Sequence, residues 1–167
     1  MTALLLTLAL FGAYHGVTLD NREVVCLVYD TTGGMTVDAT PAVVSFDSHV
    51  VVDDYYSHNT EDNPSRVTVY RSGLYMVNYA VNTIYASNRH SALVYVRRNG
   101  SEILPATSSF NYGRGASAVN IATCSLGSIV QLDEGDYIEL VVVKVSSGGT
   151  VTTSADYDNY LMLYRIR

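Results

Sequence analysis

The chain carries little charge, a single lysine and no tryptophan. Only 16% of its 167 residues are charged, and Lys144 is the one lysine. The net charge is −6, and the longest basic cluster is the pair Arg97-Arg98. Nucleic acids and anionic membranes are both bound through basic stripes that neutralise phosphates. We therefore expect neither of them as a partner.

Motifs for catalysis and cofactor binding are also missing. There is no P-loop, no Rossmann glycine fingerprint and no G-x-S-x-G nucleophile elbow. His15, His49, His58 and His90 lack metal-ligand spacing, and we expect them at the surface. Two carboxylates that meet only in space would suffice for glycoside hydrolysis, but the absence of tryptophan disfavours sugar binding. We expect no enzyme, no cofactor and no metal.

Two acidic clusters supply candidate oxygen ligands, one at Asp53-Asp54 and one at residues 133–136, which read DEGD. Neither follows the EF-hand pattern for Ca²⁺. Capping of turns and solvation are the expected roles, and a Ca²⁺ site is the alternative.

Only two cysteines are present, Cys26 and Cys124, and they do not form a CxxC motif. We expect two buried free thiols, and a disulfide is the alternative. Neither arrangement indicates a compartment.

The longest apolar run is at the N-terminus, where residues 3–13 read ALLLTLALFGA. It is shorter than the ~20 apolar residues of a membrane span. It lacks the basic start and the A-x-A site of a secretory signal, so we expect a retained segment over residues 1–23. Either a strand or a short helix fits it. Because its exposure would cause aggregation, we expect it to dock on a partner or to lock a trimer. The docking side chains are Leu4, Leu6, Leu8, Leu10 and Phe11.

The remainder consists of short apolar runs, rich in Val and Tyr, that are separated by turn residues. β-branched and aromatic residues favour strands. The predicted strands are 24–29, 42–46, 50–52, 66–70, 74–84, 92–98, 118–124, 128–132, 137–145 and 160–166, and the predicted loops are 57–65, 111–117 and 146–154. Asn99-Gly100 predicts a type I′ hairpin. Eight to ten strands without βαβ alternation predict an all-β sandwich or jelly roll over residues 24–167.

Three motifs occur in a fixed order along this part of the chain. They are RSGLYMVNYAV at 71–81, QLDEGDYIEL at 131–140 and YDNYLML at 157–163, with VSFD at 44–47 upstream. Together they resemble the globular head of complement component 1q and its TNF-superfamily relatives. The resemblance covers residues 24–167 and implies a ten-strand jelly roll that forms a homotrimer. The residues that it implies for the trimer interface are Tyr75, Tyr79, Tyr157, Tyr160 and Leu163, and burial in the core of the subunit is the alternative.

A head of this type without a collagen stalk, preceded by an apolar segment, predicts a structural protein on the surface of a virus particle. We expect a phage capsid decoration protein or a fibre head, with residues 1–23 docked on a capsid protein or another virion protein. The alternative is a secreted or tail-tip binding module. Its loops would recognise a cell-surface glycan or protein.

Overall fold

The computed structural model describes residues 25–52, 54–85, 89–114, 121–145, 149–156 and 158–166. These residues form strands and turns without any helix, which confirms the predicted all-β class. The strands are β1 (Val25–Asp30), β2 (Thr36–Val37), β3 (Ala42–Val43), β4 (Ser48–Val52), β5 (Tyr56–Ser57), β6 (Val67–Val69), β7 (Gly73–Tyr85), β8 (Arg89–Arg98), β9 (Glu102–Ile103), β10 (Ser109–Arg114), β11 (Ile121–Leu132), β12 (Tyr137–Lys144), β13 (Val151–Thr153) and β14 (Asn159–Arg165).

Ten of these strands form two five-stranded antiparallel sheets. The first sheet has the order β4-β1-β14-β7-β11, and the second has the order β5-β6-β12-β8-β10. The short strands β2, β3, β9 and β13 extend the two sheets. Packed face to face, the sheets make the predicted ten-strand jelly roll.

The core lies between the two sheets, and β7 is its main contributor from the first sheet. Side chains alternate along a strand, so one face of β7 points inward. Its buried residues on that face are Tyr75, Val77, Tyr79, Val81, Thr83 and Tyr85. The second sheet packs against them with Val94 and Val96 of β8 and with Ile138, Leu140 and Val142 of β12. The even-numbered residues of β7 therefore point away from the core.

Residues 121–124 of one predicted strand and the predicted strand at 128–132 belong to one continuous strand, β11, while residues 118–120 lie outside the described residues. Gly127 lies between the two predicted strands, and glycine weakens the interior of a strand. In the structure the amide of Asn78 lies beside Gly127, where an added methyl group would overlap the amide oxygen. The glycine therefore accommodates a neighbouring side chain and does not end the strand.

Two of the predicted loops contain strands, because β10 lies within 109–114 and β13 within 151–153. In β10 the usual polarity is reversed, since Phe110 and Tyr112 are exposed and Asn111 is buried. Hydrogen bonds satisfy the buried amide: Asn111 Oδ1 accepts from the backbone N–H of Ala92 at 2.9 Å, and Nδ2 donates to Thr83 Oγ1 at 3.1 Å. Such a strand lacks the apolar alternation on which the prediction depended.

The predicted turns at Asn99-Gly100 and at 133–136 are confirmed. Asn99 and Gly100 adopt φ angles of 49° and 77°, as a type I′ turn requires. Asp136 caps the second turn, accepting a hydrogen bond from the backbone N–H of Asp133 at 2.9 Å and one from Asn99 Nδ2 at 2.7 Å. Burial raises the pKa of Asp136, but these hydrogen bonds and the charge of Arg98 lower it overall. Asp53 of the other cluster lies outside the described residues.

Both cysteines are free and buried in the core, as expected. Burial raises the pKa of Cys26 to about 12 and that of Cys124 to about 11, because the apolar surroundings disfavour the thiolate. The two thiols are therefore packing residues of the sandwich.

A buried carboxylate ties strands of the second sheet together. Glu139 of β12 is 3% exposed and accepts hydrogen bonds from Arg97 of β8, at 2.7 Å and 3.0 Å, and from Arg66 Nε at 3.2 Å. The Arg66 guanidinium also lies 4.3 Å from the centre of the Tyr137 ring. One carboxylate thus joins β12, β8 and the segment before β6.

We expect Glu139→Gln to lower the free energy of unfolding by about 2 kcal/mol, because Arg97 loses its charge partner at a largely buried site. Urea unfolding measures this loss. Glu102→Gln is the matched control, since Glu102 is 52% exposed in its pair with Arg98 and such pairs contribute less than about 1 kcal/mol. Equal losses in the two variants would contradict the structural role of Glu139.

Candidate interaction site

The outward side of the first sheet is apolar. Cross-strand pairing aligns its outward residues in three rows. Each row contains one residue from each of the strands β1, β14, β7 and β11. We call these rows the apolar face; they are Tyr29-Tyr160-Ala80-Ser125, Leu27-Met162-Asn78-Gly127 and Val25-Tyr164-Met76-Ile129. None of these residues is charged, and only Ser125, Asn78 and Gly127 are neither apolar nor aromatic. A sheet that faces water normally carries polar residues at such positions.

The apolar face has a groove at one side and a ridge at the other. The groove, of about 500 Å³, is lined by Leu27, Tyr29, Val50, Asp158, Tyr160 and Met162. The ridge is formed by Ile129 of the edge strand β11 and by Met76 of β7, which are 57% and 38% exposed. The same subunit therefore presents a largely apolar groove and a pair of exposed apolar side chains, here called the ridge, on one surface.

The size of the face is that of an interaction site. Strands lie about 4.8 Å apart and same-face residues about 7 Å apart, so four strands and three rows cover on the order of 400 Å² with their side chains. Patches of this size on folded chains are typical of contact surfaces for other proteins or copies. Its chemistry suits apolar burial and offers no nucleophile or acid–base pair.

Tyr75, Tyr79 and Leu163 belong to the core of the subunit. Each is at most 2% exposed within the single chain, and Tyr79 donates hydrogen bonds to the carbonyls of Thr107 and Val94 at 2.9 Å and 3.2 Å. Tyr75 likewise donates to the carbonyl of Arg71. Side chains that are already buried between the sheets offer no area to a second subunit. Of the two roles considered for them, the structure supports the core role.

Tyr160 lies on the apolar face, opposite Tyr29 of β1, where both rings line the groove. Tyr157 lies outside the described residues, as do the predicted docking residues of the N-terminal segment. Those are Leu4, Leu6, Leu8, Leu10 and Phe11.

Sequence reasoning missed most of the apolar face, including Leu27, Met76, Ile129 and Met162. The signal that was available is the polar residue Asn78 in the run LYMVNYAV. A polar residue in a strand that is otherwise apolar on both sides marks the outward pleat. Because alternate residues of a strand share a face, this rule would have assigned Met76 to the outside with Asn78 and Tyr79 to the core.

The fold can be compared with those of solved structures. Murine APRIL, crystallised at pH 8.0, superposes with a TM-score of 0.59 at 14% sequence identity, over 87% of this chain and 100% of that chain. Eiger, a TNF from S. frugiperda, superposes with a TM-score of 0.56 at 12% identity, over 87% of this chain and 93% of the other. A crystal structure of murine APRIL at pH 5.0 gives a TM-score of 0.53 at 13% identity, over 85% and 99%. The fold is the TNF-like jelly roll. No protein-family model and no curated protein matches the chain.

The TNF-like fold agrees with the resemblance noted in the sequence. The two sheets of the structure cover the three motifs in the predicted order, since 71–81 reaches into β7, 131–140 leads into β12 and 157–163 leads into β14. At identities of 12–14% the superpositions establish this fold.

Within the TNF-like domain the described residues offer little for metal chemistry. No three His, Cys, Asp or Glu side chains among them are close enough to hold a metal ion. The same residues contain no helix that is long and apolar enough to cross a membrane.

The expectation of surface histidines is wrong for His90. His90 is fully buried, its ring stacks on Tyr85 at a centroid distance of 3.6 Å, and its Nε2 lies 3.3 Å from Thr83 Oγ1. His58 is half-buried, with Nε2 3.0 Å from the carbonyl oxygen of Pro64. His49 is exposed, and His15 lies outside the described residues. Strand β8 begins at Arg89, three residues before the apolar run that was predicted as a strand. His90 is therefore a strand residue, and its ring lies inside the sandwich.

Burial lowers the pKa of His90. Burial also lowers the pKa of His58; the hydrogen bond to the Pro64 carbonyl opposes this shift, and the nearby His49 adds to it. As the pH falls through about 6.5, the unfolded chain therefore binds protons before the folded chain does. We expect the free energy of unfolding to fall between pH 7 and pH 5. Urea unfolding across this range measures the slope, and His90→Gln should flatten it. An unchanged slope would contradict the neutral state of His90.

Proposed function

We propose that the chain is a non-catalytic homotrimeric module that assembles through the apolar face. The observation that carries the proposal is the apolar face, whose three rows contain no charged residue and whose groove has Asp158 as its one charged lining residue. Leaving such a surface in water has a cost of roughly 25 cal/mol for each Å². A second copy of the chain is always available to cover it. The TNF-like fold and the resemblance to trimeric heads support three copies.

The positions of the groove and the ridge favour a closed ring. They lie at opposite sides of one face, so a copy that inserts its ridge into a neighbour's groove leaves its own groove open for the next copy. Contacts of this head-to-tail kind form rings when the rotation closes. Ile129 and Met76 are the inserting side chains, and Leu27, Tyr160 and Met162 receive them.

We expect the full chain to have three times the 18.2 kDa mass of its subunit in solution, and Ile129→Asp to have the subunit mass. A carboxylate on the ridge would have to lose its water inside an apolar groove. Light scattering behind a sizing column measures both masses. Val145→Asp is the matched control, because Val145 is 58% exposed just after β12 of the second sheet. A wild-type monomer would overturn the proposal.

We further propose that the trimer works on the surface of a virus particle, as a capsid decoration protein or a fibre head. The apolar run in residues 1–23 supports this assignment, since it calls for a protein surface to cover it. In this arrangement the segment docks on a capsid or other virion protein, and the sandwich faces solvent.

Deleting residues 1–13 should abolish docking and leave a folded trimer, because the trimer contact lies on the apolar face. Co-sedimentation with virions whose genome encodes the chain measures docking, and light scattering measures the trimer. Undiminished co-sedimentation of the shortened chain would contradict the docking role. Binding of the shortened trimer to a glycan array would favour the alternative function below.

The alternative is a secreted or tail-tip module that binds a cell-surface glycan or protein. The observation that favours it is a pair of exposed aromatic residues on the edge strand β10 of the second sheet. Phe110 and Tyr112 are 57% and 55% exposed, and both point away from the core. Exposed rings of this kind stack on sugars and on apolar side chains. They lie on a different sheet from the apolar face, so a trimer would leave them accessible.

A further inference from the structure

An asparagine lies at the centre of the apolar face. In the cross-strand rows Asn78 stands between Met162 of β14 and Gly127 of β11, and Met76 and Ala80 flank it along β7. Its side chain lies over Gly127, where an added methyl group would overlap the amide oxygen in its present position. The residue is half-buried. A polar group thus occupies the middle of a surface that is otherwise built for apolar contact.

The amide of Asn78 has no hydrogen-bond partner among the residues that the structure describes. No other described residue forms a hydrogen bond with this side chain. An asparagine amide offers two donors and an acceptor with two lone pairs. On a free subunit, water satisfies them.

Asn82 provides an internal comparison, because it lies two outward positions further along β7, beyond Ala80. Its Oδ1 accepts a hydrogen bond from Thr123 Oγ1 at 2.7 Å, and its Nδ2 donates to the carbonyl of Asp158 at 3.0 Å. An outward asparagine on β7 can therefore be satisfied within the subunit. Asn78 has no such partners because its cross-strand neighbours are Met162 and Gly127.

We infer that the Asn78 amide hydrogen-bonds to a polar group of a second copy of this chain in the trimer and thereby sets the register and number of the copies. The inference rests on the proposed function. Covering the face removes water from the amide, and an amide that is left unpaired weakens association by about tenfold or more. Arrangements in which it is paired are selected over those in which it is not. A single buried asparagine selects register and copy number in the same way in coiled coils.

The first test compares the wild-type chain, Asn78→Val and Asn82→Val by sedimentation velocity over a range of protein concentrations. We expect a single trimeric species for the wild type. Asn78→Val should associate at least as strongly but give mixed species, because an apolar face no longer penalises other arrangements. Asn82→Val should keep the wild-type distribution and melt at a lower temperature. A single trimer for Asn78→Val with wild-type affinity would overturn the inference.

Asn78→Asp keeps the shape of the side chain and tests the amide directly. Its ionised carboxylate cannot donate, so we expect dissociation at a protein concentration at least about tenfold higher than for the wild type at pH 7.5. Association should recover as the pH is lowered and the carboxyl group is protonated. Wild-type association of this variant at pH 7.5 would overturn the inference alone. A wild-type monomer would instead overturn the proposed function together with it.

Discussion

Strand β7 contributes side chains to two surfaces, the core on one side and the apolar face on the other. Its thirteen residues alternate between the core and the outside, and it pairs with β11 along one side and with β14 and β13 along the other. Once Tyr75 and Tyr79 point inward, the pairing decides which residues of the neighbouring strands point outward. A shift of one residue would exchange the two faces and place Asn78 in the core. Both the packing of the sandwich and the composition of the apolar face depend on this register.

The two sheets have different requirements on their outer sides. On the second sheet, Glu139 is held by Arg97 and Arg66, so that charge and aromatic packing cover the backbone without a partner chain. On the first sheet, the outward rows contain apolar and aromatic side chains with no ion pair among them. The outer side of the second sheet is thus covered around Glu139, whereas the apolar face of the first sheet is open. This asymmetry within a single domain is what makes the first sheet the candidate for assembly.

The all-β class and most strand positions could be predicted from the sequence, because apolar runs and turn residues such as Asn99-Gly100 are local signals. The TNF-like fold was implied by the resemblance of the three motifs. The strand β10 could not, since its buried Asn111 and exposed Phe110 reverse the usual pattern and depend on partners distant in sequence. The site was harder still. In the run LYMVNYAV both faces of β7 are largely apolar, so aromatic residues alone misplaced the outward set. In this run only the polar residue Asn78 indicates which alternate residues point outward. The packing of the two sheets fixes that orientation.

The close fit of Gly127 and Asn78 has a consequence for how this surface can change over evolutionary time. Because a side chain at position 127 would occupy the space of the amide, the two positions are sterically linked across neighbouring strands. A larger residue at 127 requires the Asn78 side chain to move away or to become smaller. The two positions should therefore vary together in related chains, and the polarity of the face should change in paired steps.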